Sequence, residues 1–159
     1  MSRQEKSLFM TVLMTPDMAN FSGNVHGGAL LKLLDQAAYA CASRYAASYV
    51  VTVSVDQVMF RQPIRVGELV SFLASVNHVG TSSMEVGIKV VAENIQTRET
   101  RHVNSCFFTM VAVADDGTKV KVPPLEITNA TQQRRHDQAA LRRKLRQELE
   151  ASFESLKRG

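Results

Sequence analysis

The sequence predicts an α+β domain in which an antiparallel sheet of five or six strands wraps around one long helix. Residues 26–45 are rich in Ala and Leu and contain no Gly or Pro after Gly28, which favours a helix. Several other stretches alternate apolar and polar residues, as strands with one buried face do. Such a face needs cover, so we expect this apolar helix to lie buried at the centre of the domain.

The predicted strands are recognised by their β-branched residues and by the turn sequences that separate them. One precedes the helix and the others follow it, which is typical of an antiparallel sheet rather than of alternating parallel units. They lie at residues 8–14, 50–60, 68–79, 84–91 and 100–114, and a short edge strand at 119–122 would be the sixth.

The C-terminal segment predicts a separate basic amphipathic helix from about residue 129 to 157. Its apolar side chains recur every three or four residues as Leu141, Leu145, Leu149, Phe153 and Leu156. So narrow a stripe suits docking on another surface or pairing with a copy of itself. We therefore divide the chain into a main domain at 1–127 and a C-terminal helix at 128–159.

Charge and composition exclude several classes of function. Residues 1–128 carry 11 basic and 11 acidic side chains, whereas residues 129–159 carry 8 and 4, so the whole net charge of +4 belongs to the C-terminal helix. A nucleic-acid binder more often has its basic patch on the folded body, so we expect no nucleic-acid partner. The chain has no apolar run of about 20 residues and no secretory leader pattern, which predicts a cytoplasmic protein that does not enter a membrane.

The cysteines and histidines predict neither disulfides nor a metal site. Cys41 and Cys106 lie in apolar surroundings, where small buried hydrophobic residues are expected. The four histidines form no Cys/His cluster with zinc spacing.

Asp35 is the most informative residue, because it is an acidic side chain within the apolar helix. A buried carboxylate is costly unless it is paired or used, and burial would raise its pKa towards neutrality. Just before the helix, Gly27 and Gly28 would present backbone amides where a developing negative charge is stabilised. A base beside such amides suggests acyl transfer, although an ion pair with Lys32 is an equally good explanation of Asp35 from the residues alone.

The chain resembles the hotdog-fold acyl-CoA thioesterases, in particular the brain acyl-CoA hydrolases and their bacterial single-domain relatives. The resemblance covers residues 8–125, and several motifs in order carry it. These are Gly-Asn-Val-His-Gly-Gly at 23–28, Lys-Leu-Leu-Asp at 32–35, Val-Thr-Val-Ser-Val-Asp at 51–56, Val-Met-Phe-Arg-Gln-Pro-Ile-Arg-Val-Gly at 58–67, Gly-Thr-Ser-Ser-Met-Glu-Val at 80–86, Phe-Thr-Met-Val-Ala-Val at 108–113 and Val-Pro-Pro-Leu at 122–125.

The resemblance implies hydrolysis of acyl-CoA to a free acid and CoA, within fatty acid metabolism and without a cofactor. It implies sites at the interface of paired domains, with Asp35 of one subunit as base or nucleophile and Asn24 of the other positioning water or the thioester. A homodimer is the minimum, and a trimer of dimers, a homohexamer, is the expected assembly. From the residues alone, a helix cap is the preferred explanation of Asn24, and His26 is a structural hydrogen-bonding residue more readily than a base.

The resemblance also indicates residues that contact CoA or the acyl chain. Small and hydroxyl residues of a turn would lie along CoA, three strand residues would line the pantetheine or acyl channel, and arginines would bind phosphates. They are Gly80, Thr81, Ser82 and Ser83, then Val58, Met59 and Phe60, and finally Arg61, Arg65 and Arg101. An ordinary hairpin turn, core residues and surface charges are the alternative explanations.

Two other functions share this fold or this site. Hotdog dehydratases and hydratases use a catalytic His with a carboxylate of the facing subunit, and Asn24 with Asp35 fits the thioesterase pattern better. A non-catalytic CoA- or nucleotide-binding module is the second alternative, and it would bind CoA without turnover.

Overall fold

A computed structural model describes residues 5–159, and it contains five strands and two long helices. In chain order these are β1 (Ser7–Leu13), α1 (Gly27–Ala46), β2 (Val50–Asp56), β3 (Leu69–Val79), β4 (Ser83–Glu93), β5 (Thr100–Ala112) and α2 (Ala130–Arg158). A short 3-10 turn at Pro16–Met18 follows β1. The α+β class and the order of elements predicted from the sequence are confirmed.

The strands form one antiparallel sheet in the order β1-β3-β4-β5-β2. Consecutive hairpins place β3, β4 and β5 side by side, and β1 and β2 lie at the two edges. In the described residues, the segment 119–122 does not become a sixth strand, because only an isolated bridge joins Lys119 to Val113. The sheet therefore has five strands, the lower of the two predicted numbers.

β2 is shorter than the predicted strand at 50–60. It ends at Asp56 because the next residue, Gln57, has φ 60°, in the left-handed region that interrupts an extended chain. Residues 57–62 leave the sheet as a loop. This loop carries several of the residues predicted to contact CoA.

α1 packs against one face of the sheet and contacts all five strands. Its buried residues recur at helical spacing and meet the large buried side chains of the strands, such as Phe72 and Phe108. The buried set on α1 is Leu30, Leu34, Ala37, Ala38, Cys41, Ala42 and Tyr45. The expectation that the helix is buried all round is wrong for the single chain, because Leu31, Asp35 and Tyr39 on the opposite face are exposed.

The chain divides into two compact units, Met1–Pro123 and Pro124–Gly159. The first contains the sheet and α1, and the second contains α2. Asn129 caps α2, since its side-chain oxygen accepts a hydrogen bond from the Gln132 amide at 2.9 Å. Among residues 5–159, no helix is both long enough and apolar enough to cross a membrane.

Candidate active site

Asp35 lies on the exposed face of α1, one helical turn from Leu31 and one from Tyr39. The hydroxyl of Thr52 on β2 donates a hydrogen bond to its Oδ1 at 2.7 Å. The alternative ion pair with Lys32 is not found in the part of the chain that the structure describes. Asp35 is therefore an oriented carboxylate on an open surface, and its predicted burial is not found in the single chain.

Thr52 lies next to an irregularity in the edge strand. The register of β2 against β5 shifts between Thr52 and Ser54, so Val53 is an extra residue at a β-bulge. Such bulges re-aim neighbouring side chains and occur next to functional sites. Thr52 was not predicted as a site residue, because in an alternating strand a threonine carries no signal of a helix partner 17 residues away.

The start of α1 uses one of the two predicted glycine amides structurally. His26 is the N-cap, and its Nδ1 accepts a hydrogen bond from the Gly28 amide at 2.9 Å. The structural role predicted for His26 is confirmed, and the alternative that Asn24 caps the helix is wrong. The Gly28 amide, predicted to face the thioester oxygen, is occupied in this chain, whereas the Gly27 amide has no acceptor among residues 5–159.

The loop before α1 is organised around Asn20. The side-chain Oδ1 of Asn20 accepts hydrogen bonds from the Ser22 amide at 2.9 Å, the Ser22 hydroxyl at 2.7 Å and the Asn24 amide at 3.2 Å. Because three donors hold this oxygen, the plane of the Asn20 side-chain amide is fixed, and its Nδ2 can donate to another group. Asn24, the predicted catalytic residue, places its own Nδ2 3.4 Å from the Ser22 hydroxyl.

The loop after β2 approaches the start of α1 through Phe60. A Cβ atom built on Gly27 would lie 3.6 Å from the Phe60 ring, so the ring packs directly on this glycine. Met59 and Phe60 are each 52% exposed, which fits walls of an open channel better than core residues. The structure thus brings predicted channel residues next to the predicted carbonyl-binding amide.

Comparisons with known proteins identify the family of this chain. A family model described as the Thioesterase superfamily matches residues 22–99. Protein VdlD of Helicobacter pylori is 50% identical over 139 residues, covering 87% of this chain and 79% of VdlD. A crystal structure of an apo-hexameric acyl-CoA thioesterase is 33% identical with a TM-score of 0.88, covering 92% of this chain and 94% of that one. The chain belongs to the hotdog-fold acyl-CoA thioesterases.

A further solved relative of this thioesterase is the acyl-CoA hydrolase of Staphylococcus aureus, in complex with butyryl-CoA, CoA and CoA disulfide. It is 29% identical with a TM-score of 0.83, and the alignment covers 96% of this chain and 95% of that one. The activity implied by the sequence resemblance, hydrolysis of acyl-CoA thioesters, is supported by these relatives.

Arg101 of this thioesterase is held in a partly buried ion pair. Its guanidinium donates to both carboxylate oxygens of Glu68, at 2.5 and 2.9 Å, and to the carbonyl oxygen of Pro63 at 2.7 Å. The Arg101 hydrogen bond lowers the pKa of Glu68 below its ordinary value, against the opposing effect of burial. These bonds join β5 to the segment before β3, and contact of Arg101 with a CoA phosphate stays a prediction.

Residues 80–83 form the hairpin turn between β3 and β4, as their composition predicts. The Gly80 amide donates to the Ser83 carbonyl at 2.8 Å, and the Thr81 carbonyl accepts from the Val122 amide at 2.9 Å. The turn therefore also anchors the chain that follows β5. Contact of this turn with CoA stays a prediction.

The two cysteines are free and buried, as predicted. Burial raises the pKa of Cys41 and of Cys106 to about 12, so neither is a reactive thiolate near neutral pH. Among residues 5–159, no group of three or more His, Cys, Asp and Glu side chains is arranged to hold a metal ion.

Proposed function

We propose that this thioesterase hydrolyses acyl-CoA at a site that two copies of the chain build together, with Asp35 of one copy as general base or nucleophile. The observation that carries the proposal is the Asp35 carboxylate, oriented by Thr52 at 2.7 Å on an open surface of the single chain. Asp35 is oriented by this hydrogen bond but is exposed to solvent. A second protein surface must cover it before bulk water is excluded from the site.

The surroundings of Asp35 support this second surface. β2 is an edge strand with unpaired backbone groups, and its Val51, Val53 and Val55 are 36, 60 and 39% exposed. An apolar edge strand is a template for pairing with another chain, and exposed apolar patches mark interfaces. We therefore propose a homodimer at this face, assembled as a trimer of dimers, since a solved relative is hexameric.

Asn20 is the better candidate for the amide that the partner contributes. The Staphylococcus aureus hydrolase has been characterised as variants of an Asp, of an Asn fifteen positions before it and of a Thr seventeen positions after it. In this chain Asn20 and Thr52 stand at the same two spacings from Asp35. We propose that Asn20 positions the water or thioester through Nδ2, and that Asn24, the residue predicted first, helps to hold Asn20.

The chemistry follows from these groups. Water attacks the thioester carbonyl carbon while Asp35 takes its proton, and the Gly27 amide and the Asn20 amide stabilise the oxyanion. The C–S bond then breaks, the proton passes to the leaving sulfur, and a free acid and CoA are released. In the alternative, Asp35 itself attacks to form an anhydride, which water then hydrolyses. Neither route requires a cofactor.

Binding of CoA is proposed for three segments. The turn of Gly80, Thr81, Ser82 and Ser83 would lie along the pantetheine, and Val58, Met59 and Phe60 would wall the channel. Arg61 is proposed as the phosphate ligand, because it is exposed and its guanidinium lies 3.1 Å from the Met59 sulfur without an ion pair among residues 5–159. The cytoplasm, where acyl-CoA is made and used, is the proposed location.

The decisive experiment measures CoA release from a ladder of acyl-CoAs by wild type, Asp35→Asn and the control Asp115→Asn, which changes an exposed turn. A thiol reagent reports free CoA cleanly, because Cys41 and Cys106 are buried. We expect Asp35→Asn to lower kcat by about 10²–10⁴-fold while the control keeps wild-type activity. No CoA release by wild type at any chain length contradicts hydrolysis, and equal rates for Asp35→Asn contradict this site.

A further inference from the structure

One face of α2 carries an apolar stripe that is exposed in the single chain. Each of its five large side chains is more than half exposed, and all five are spaced by three or four residues. They are Leu141, Leu145, Leu149, Phe153 and Leu156. At 100° per residue they fall within an arc of about 120° and run for about 22 Å along the helix.

Burial on α2 does not follow its apolar stripe. The buried Ala139 and the half-buried Gln132, His136 and Arg146 lie outside the arc of the stripe, and the half-buried Arg142 lies near one edge of that arc. A surface helix normally buries its apolar face and exposes its polar face. The reversal indicates that the stripe, rather than the polar side, is reserved for a partner.

The charges along α2 identify the partner as another α2. Residues 134–146 carry six basic side chains and one acidic side chain, whereas residues 147–156 carry three acidic side chains and none that are basic. In a parallel pair of copies, like charges would lie side by side. In an antiparallel pair, the basic segment of each helix lies along the acidic segment of the other, which is favourable.

We propose that α2 helices from two copies of the chain pair antiparallel through this stripe. With the pair centred at Gln147, Leu145 faces Leu149 of the second helix, and Leu141 faces Phe153. The same twofold rotation then forms both pairs of facing side chains, as expected for a contact between two identical helices. A contact of this length buries less than the ~1,200 Å² of a stable interface, so it acts together with the proposed pairing of β2 edges and not alone.

Disulfide trapping in the full-length protein tests the pairing and its direction. Chains bearing Leu145→Cys and Leu149→Cys, with different affinity tags, are co-expressed and mildly oxidised. We expect a disulfide between the two different chains, and at least about a fivefold lower yield when either variant is expressed alone. Gln147→Cys, on the opposite side of the helix, is the matched control and should give no more product than wild type.

Two results overturn the proposal. Preferential Leu145→Cys self-linking shows a parallel pair, and no linking above the Gln147→Cys control shows no pair. Circular dichroism of each variant verifies that α2 stays helical.

A second measurement tests the charge argument. Glu148→Gln, Glu150→Gln and Glu154→Gln together should lower the yield of the disulfide between the Leu145→Cys and Leu149→Cys chains severalfold, and an unchanged yield contradicts the charge alignment. Hydrolysis of acyl-CoA is measured separately, so loss of pairing and loss of the proposed site remain distinguishable.

Discussion

At the scale of single residues, the hydrogen bond from Thr52 to Asp35 decides how the carboxylate can act. With Oδ1 held by the Thr52 hydroxyl at 2.7 Å, Oδ2 is left to face water or the thioester carbonyl. A hydrogen bond to a charged group contributes about 1.5–3 kcal/mol, and part of that acts on orientation. Thr52 is thus a positioning residue in the proposed mechanism.

Replacing Thr52 by Val, which keeps the shape and removes the hydroxyl, should lower kcat about tenfold or more with a smaller change in KM. The comparison is Thr11→Val on β1, whose hydroxyl contacts Ser71 at 3.0 Å, away from Asp35 in the sheet order. Steady-state kinetics on one good acyl-CoA provide both constants. Equal kcat values for the two variants would show that Thr52 does not position the base.

Asn20 and Asn24 can be separated by the same kinetics. Asn20→Ala removes the proposed contact with the reacting group and the anchor of the loop, so a loss of about 10²-fold or more in kcat is expected. Asn24→Ala removes only a 3.4 Å side-chain contact with Ser22 and should cost less than tenfold. The reverse order of effects would restore Asn24 as the catalytic amide.

At the scale of elements, the Glu68–Arg101 pair links β5 to the segment that precedes β3. Glu68 is 6% exposed, and it also accepts a hydrogen bond from the Arg65 amide at 2.8 Å. Since its pKa is lowered in the folded chain, the ionised form stabilises the fold. This contribution is fully present above the ordinary pKa of 4.5 and is lost as the pH falls through the lowered value.

Glu68→Gln should therefore lower the free energy of unfolding by about 1–3 kcal/mol at pH 7, nearer the lower end because Arg101 is partly exposed to solvent. The difference from wild type should shrink as the pH falls from the ordinary pKa of 4.5 through the lowered value, where wild type loses the same charge. Urea unfolding at several pH values measures it, with Glu99→Gln as the exposed control. A difference independent of pH would exclude the ion pair as its cause.

At the scale of the whole molecule, the proposed site takes Asp35 from one copy and Asn20 from the other. A mixed dimer of Asp35→Asn and Asn20→Ala chains then contains one site with both substitutions and one with neither. Random mixing of inactive parents should restore about a quarter of wild-type activity, and the purified mixed dimer should have about half. Co-expression with two tags and tandem purification supplies the mixed protein, and activity no higher than that of either parent would show that each chain supplies a complete site.

Much of the fold could be predicted from the sequence because local signals agree with it. The Ala- and Leu-rich composition places α1 to within one residue at each end, and β-branched alternation locates all five strands. The end of β2 could not be predicted, because it depends on the φ of 60° at Gln57. A glycine at that position would have indicated a positive φ, but a glutamine does not. The number of strands also depended on tertiary contacts, because residues 119–122 lie beside β5 without forming a ladder.

The sequence by itself determined the elements, the motifs of an acyl-CoA thioesterase and the choice of Asp35 as the candidate base or nucleophile. Only the tertiary structure decided which face of the nearly all-apolar α1 the sheet covers, and hence that Asp35 is exposed in one chain. It also decided that Thr52 holds Asp35 and that Glu68 holds Arg101, across 17 and 33 residues respectively. The physical reason is that local propensity and periodicity act over a few residues, whereas these contacts are set by how β2 and β5 pack against the rest of the domain.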